Sequence, residues 1–264
     1  MLDLPEALLW RAARFRGVIV QSVCGPVFVA FRLAVVGVCL ALFSFCGKGV
    51  FAAPYPDEAQ LREAIAAVAG LVRDEGLEVR ILDAQKYGVS RPLMAAGLSV
   101  ARGVCMVFYN SRPSSLLAPF FERMSGADLP VWLRAVAVHE VSHCVEQREG
   151  YVLGRFDRVL PPGFTSDGMT GAGYAAALRS GAMELWGEAL ADIAALLWLQ
   201  QARPGDWRRF AGGLVALRDE LAARNPSHNT APWLRGIIDG GAAPDGERGI
   251  FETAFRLRRE LRPD

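Results

Sequence analysis

Apolar positions along the chain change period several times, and each change marks an element. Leu61, Ile65, Val68 and Leu71 recur at helical spacing, which predicts an amphipathic helix over Glu58–Glu75 ending at Gly76. Leu77–Leu82 alternates as a strand does. Ser99–Tyr109 predicts two short strands around an Arg102-Gly103 turn, and Val104–Asn110 is the run richest in β-formers. Leu116–Met124 reads as a short apolar loop or helical turn. Next comes a stretch with Asp128 as cap, Pro130 in the first turn and Gly150 as terminator. Its apolar residues Val131, Leu133, Ala135, Val136, Ala137, Val138 and Val141 leave almost no polar face, so this helix is buried.

Tyr151–Ser180 is the least regular stretch, with Pro161-Pro162-Gly163 and several glycines from Gly168 to Gly173. A loop of that length in a compact domain is often functional, so a lid or specificity wall is expected. Gly181–Gln201 is a helix whose latter half, Ile193–Leu199, is core. Trp207–Arg224 follows, with Phe210, Leu214, Leu217 and Leu221 as its buried stripe. Two closing helices are expected at Trp233–Ile238 and Gly246–Leu261, the second showing Arg256, Arg258, Arg259 and Arg262 on a solvated basic face. The order gives an α+β architecture, with a small sheet before the buried helix and a mostly helical half after it, in one domain over residues 54–264.

Residues 1–53 have another character. Arg11, Arg14 and Arg16 precede an apolar stretch from Gly17 to Cys46, interrupted by Pro26 and Arg32. Leu33–Cys46 has the length of a signal-peptide core, and small residues follow at Ala52-Ala53. An uncleaved membrane anchor over residues 17–46 is the second reading, and a core helix of the following domain the third. The first two predict an exported protein, periplasmic, secreted or membrane-anchored. Beyond this segment only Cys105 and Cys144 remain; a disulfide between them or two buried thiols are both open.

Composition adds limits. A chain of 264 residues with 52% hydrophobic residues can bury one sizeable core. A net charge of +1 gives no basic field for nucleic acid.

The chemistry concentrates in the buried helix, at His139-Glu140-Val141-Ser142-His143. Residues four apart share a helix face, so both imidazoles can reach one metal ion. Glu140 sits one step round, where its carboxylate can take a proton from an activated water. A metal site of this kind needs a third protein donor. The metzincin pattern would place glycine at 146 and histidine at 149, where this chain has Glu146 and Glu149; the alternative is a glutamate from a later helix. Glu184-Leu185-Trp186-Gly187-Glu188-Ala189-Leu190-Ala191-Asp192 supplies two candidates, Glu184 and Glu188. Glu188 is favoured because Asp192 lies one turn on, placed to accept the second ring N–H of a ligand histidine.

HExxH followed by ExxxD resembles the gluzincin branch of zinc metallopeptidases, the thermolysin and neprilysin kind. The resemblance spans about residues 104–228. It implies a zincin-like fold, one zinc ion held by His139, His143 and Glu188, Glu140 as general base, Asp192 behind the ligands, and a peptide or protein substrate. It also implies that the sheet edge beside the active-site helix pairs with substrate, with Tyr109 and Asn110 as candidates, and that a downstream histidine, His228, steadies the developing oxyanion. His228 reads equally as a surface residue of a capping loop. Tyr151 and Tyr174 are further candidate donors to that oxyanion. Two other functions are compatible with the motifs: a non-catalytic exported binding domain and a zinc amidase acting on cell-wall peptides.

Overall fold

The structure is a computed structural model that describes residues 55–89, 92–113, 117–243 and 249–263. The expected signal or anchor segment at 1–53, with Cys24, Cys39 and Cys46, lies outside the described residues. The described residues belong to one compact unit, Gly49–Asp264. Among them, no helix is long and apolar enough to cross a membrane.

Helix α1 (Glu58–Arg73) starts where Asp57 and Gln60 cap each other. The Asp57 carboxylate accepts the Gln60 N–H at 2.8 Å, and the Gln60 side chain accepts the Asp57 N–H at 3.0 Å. Its buried stripe is Leu61, Ala64, Ile65, Val68 and Val72. Three strands follow: β1 (Glu78–Asp83), β2 (Met94–Ser99) and β3 (Val104–Tyr109), in the order β1-β3-β2. β1 runs parallel to β3, and β2 antiparallel to it with Met94 opposite Tyr109.

Two expectations are corrected here. The strand before the Arg102-Gly103 turn begins at Met94, not at Ser99; a tight turn over Val100–Arg102 and left-handed Gly103 (φ 61°) make the link. The Met-Ala-Ala-Gly start of β2 is poor in β-formers, so the pattern concealed it. Tyr109 and Asn110 do not lie on a sheet edge, because β3 is central and paired on both sides. Tyr109 is buried and its phenol donates to Glu58 at 2.6 Å. The Asn110 N–H is bonded to the Leu93 carbonyl, and its side chain accepts from the Arg112 N–H at 3.1 Å. The edge beside the next long helix is β2.

That helix is α3 (Leu129–Tyr151), which follows the short α2 (Ala118–Glu122). Asp128 does not cap α3: its carboxylate is held instead by Arg209, at 2.6 and 2.9 Å. Gly150 does not end it either. The helix runs through Gly150 to Tyr151, and the Tyr174 ring packs where a Cβ at 150 would stand. The expected loop at Tyr151–Ser180 contains two helices, α4 (Phe156–Val159) and α5 (Gly171–Arg179), the latter capped by Thr170. Tyr174 on α5 is fully buried and bonds the Glu146 carbonyl, so it is no donor to a substrate. Tyr151 packs edge-on to it, at 4.9 Å between ring centroids.

α6 (Glu184–Ala202) packs along α3 and is buried on most sides. α7 (Trp207–Ala222), α8 (Ala231–Gly240) and α9 (Gly249–Glu260) complete the helical half. The buried stripe of α7 is Phe210, Ala211, Leu214 and Arg218, so the core takes an arginine where Leu217 and Leu221 were expected. On α9, Arg258 is fully buried, contrary to the expected solvated basic face.

Candidate metal centre

α3 carries His139 and His143 on one face, and α6 brings Glu188 opposite them. The Nε2 atom of His139 lies 3.4 Å from one Glu188 oxygen, and that of His143 lies 3.6 Å from the other. Among the described residues, these three form the group whose donor atoms lie within 4.8 Å of one another. Two ligands each ~2.1 Å from an ion, at the tetrahedral angle, stand ~3.4 Å apart. The donor set of two imidazoles and one carboxylate, at those separations, fits a zinc ion with one position left for solvent. Glu184, the other candidate, is exposed and outside the group.

Close approach of the two helices depends on Gly187. A Cβ there would stand 3.1 Å from a Glu146 carboxylate oxygen and 3.9 Å from Nδ1 of His143. A Cβ at this position would crowd the Glu146 carboxylate, which would have to give by a few tenths of an ångström.

Behind the donors sits a polar network. Asp192 lies 2.9 Å from Nδ1 of His139, which leaves Nε2 of that ring to face Glu188. Arg218 of α7 donates to the same Asp192 oxygen at 2.6 Å and stands 3.3 Å from Glu188. Thr230, fully buried at the start of α8, donates to the other Asp192 oxygen. Neither Arg218 nor Thr230 was marked by the sequence motifs. For Arg218 a signal existed: it follows Leu214 by four residues on a stripe that begins at Phe210, a charge where an apolar residue belongs.

Glu140 faces the sheet. The outward N–H of Leu98 on β2 donates to Gln147 at 2.8 Å, and the N–H of Ala96, two residues before, favours the ionised Glu140 carboxylate. Burial raises the Glu140 carboxyl to about 7, against the pull of His139, Arg218 and the Ala96 N–H. The two imidazoles are shifted in opposite directions, while the carboxylates beside them are held in the ionised form. Burial lowers His143 to about 4. Burial also disfavours the charged form of His139, but Glu188 and Asp192 outweigh it and leave its pKa raised. For Glu188 and Asp192 burial is overcome by the histidines and Arg218, and both carboxyls stay below their ordinary values.

His228 sits in the 3-10 turn Pro226–His228, with Nε2 3.9 Å from Glu188. Asn225 orients its ring. The Asn225 carbonyl accepts the Ser227 N–H at 3.2 Å, so its amide group faces Nδ1 of His228 at 2.9 Å. Nδ1 then accepts, and the ring proton of neutral His228 lies on Nε2, the side facing the cluster.

Cys105 of β3 and Cys144, next to His143 on α3, form a disulfide. Comparison with protein-family models, curated proteins and solved structures finds no match to this chain.

Proposed function

We propose that this chain is an exported zinc metallopeptidase of the gluzincin type, hydrolysing a peptide or protein substrate. The observation that carries the reading is the convergence of His139, His143 and Glu188 at ligand separations, with Glu140 near enough to feel the charges of His139 and Glu188. The antiparallel edge strand beside α3 and the helical half that follows support a zincin-like arrangement. The Cys105–Cys144 disulfide supports an oxidising compartment, in line with a signal or anchor sequence at residues 1–53.

When bound, a zinc ion supplies Lewis acidity, lowering the pKa of water and polarising a carbonyl. The remaining steps fall to the chain's own groups. Asp192 fixes the His139 tautomer, and Arg218 and Thr230 hold Asp192 in place. The Glu140 carboxylate takes the proton from the attacking water and passes it to the leaving amine. Burial works against the charged form of Glu140, which favours handing a captured proton on. Nε2–H of His228 points toward the donors, where it can hydrogen-bond the developing oxyanion.

The test is metal analysis coupled to casein turnover. The reading predicts about one zinc per chain and hydrolysis that a chelator abolishes. A purified, folded chain with no zinc affinity contradicts it. An intact Glu140 argues against a purely binding role, because a structural metal site has no use for a proton acceptor.

A further inference from the structure

A second buried ion pair lies behind the donors, and the proposed reaction does not use it. Glu146 follows His143 by three residues on α3 and is 3% exposed. Its partner is Arg258 of α9, with no exposed surface at all. The same Arg258 Nη1 donates to the main-chain carbonyl of Trp186 at 2.9 Å, two residues before Glu188 on α6. Nη2 reaches the Arg158 carbonyl at 3.3 Å, and the guanidinium lies 4.3 Å from the centroid of the Trp186 ring.

A buried ion pair is weak evidence for stability, because apolar side chains of similar size often serve as well. What the guanidinium adds is geometry. It is planar and rigid, so the groups it bonds are held at fixed separation. Here one nitrogen bridges α3 and α6 beside the points where His143 and Glu188 leave them. On the other side of the Glu146 carboxylate, the bare Cα of Gly187 sets how near α6 may come.

We propose that Arg258 is a positioning residue for the metal centre. It fixes the spacing of α3 and α6 so that Glu188 meets the two histidines, which makes the last helix part of the site. This rests on the zinc reading above. The inference is tested on the intact chain by zinc affinity from chelator competition and by the absorption spectrum of the Co2+-loaded protein. The main variant is Glu146→Met with Arg258→Met, which leaves no buried charge unpaired; circular dichroism reports its fold. The expected result is a folded double variant that binds zinc about 10–100-fold more weakly. Its Co2+ bands are shifted even at saturating metal. Arg258→Lys keeps the charge but not the planar fork, so its affinity falls between the two.

Wild-type affinity and an unchanged Co2+ spectrum in the folded double variant overturn the inference. Should that variant not fold, wild-type affinity and spectrum in Arg258→Lys overturn it instead. If the wild-type chain itself binds no zinc, both this inference and the zinc reading fail. Normal wild-type binding with unaltered variants ends this inference alone.

Discussion

Glu140 and the donors around it differ in what their loss removes. Replacing Glu140 by Gln keeps a polar side chain of the same shape and deletes only the proton acceptor. Glu140→Gln is expected to hold zinc as the wild type does while casein turnover falls about 10²–10⁴-fold. His143→Ala removes a donor, so metal and activity go together. Asp192→Ala leaves all three donors but frees the His139 ring, and zinc affinity is expected to fall about 10–100-fold in chelator competition. Protons compete with metal at the histidines. His139 is raised by its carboxylate neighbours, so it gains a proton while pH is still above the usual histidine range. Zinc affinity therefore weakens on acidification, starting above about pH 6.5. His143, lowered to about 4, adds to the loss only in stronger acid. An affinity independent of pH between 8 and 5 contradicts this assignment.

Between elements, two glycines set how closely helices meet. At Gly150 an added Cβ has no room beside the Tyr174 ring, so Gly150→Ala is expected to cost about 1–3 kcal/mol in urea unfolding with zinc affinity kept. At Gly187 the obstruction is the Glu146 carboxylate, and Gly187→Ala is expected to lower stability and zinc affinity together. These positions also mark what the sequence made legible. Gly187 stands next to a candidate ligand, where a glycine lets two helices come close. Gly150 looked like a helix terminator because Tyr174, its true reason, lies 24 residues on in a stretch without clear periodicity. The two long helices were legible from apolar runs alone. β2 was not, since alanine and glycine carry little strand signal. The edge assigned to Tyr109 and Asn110 came from the family resemblance, and the strand order β1-β3-β2 places their strand in the middle of the sheet instead. The carboxylate choice between Glu184 and Glu188 was legible from spacing, whereas Arg218, Thr230 and Arg258 come from distant elements whose meeting no local pattern announces.

For the whole molecule, the Cys105–Cys144 disulfide ties β3 to α3, and an ion at the proposed site would join α3 to α6. Cys105 and Cys144 close a loop with a sequence separation of 39, which corresponds to about 4 kcal/mol of unfolded-chain entropy. Cys105→Ser with Cys144→Ser is expected to lower urea stability by up to that amount. An unchanged midpoint contradicts a stabilising bridge. On the zinc reading, an ion that binds only the folded chain adds stability of its own, so chelation and reduction together are expected to lower the melting temperature more than either alone. The account as a whole depends on one ion seated between α3 and α6. The most direct measurement is a crystal of the zinc-loaded chain, with anomalous scattering recorded at the zinc edge. One peak is predicted, bonded to Nε2 of His139, Nε2 of His143 and the Glu188 carboxylate at about 2.0–2.2 Å. No peak there, or one held by other residues, contradicts the account.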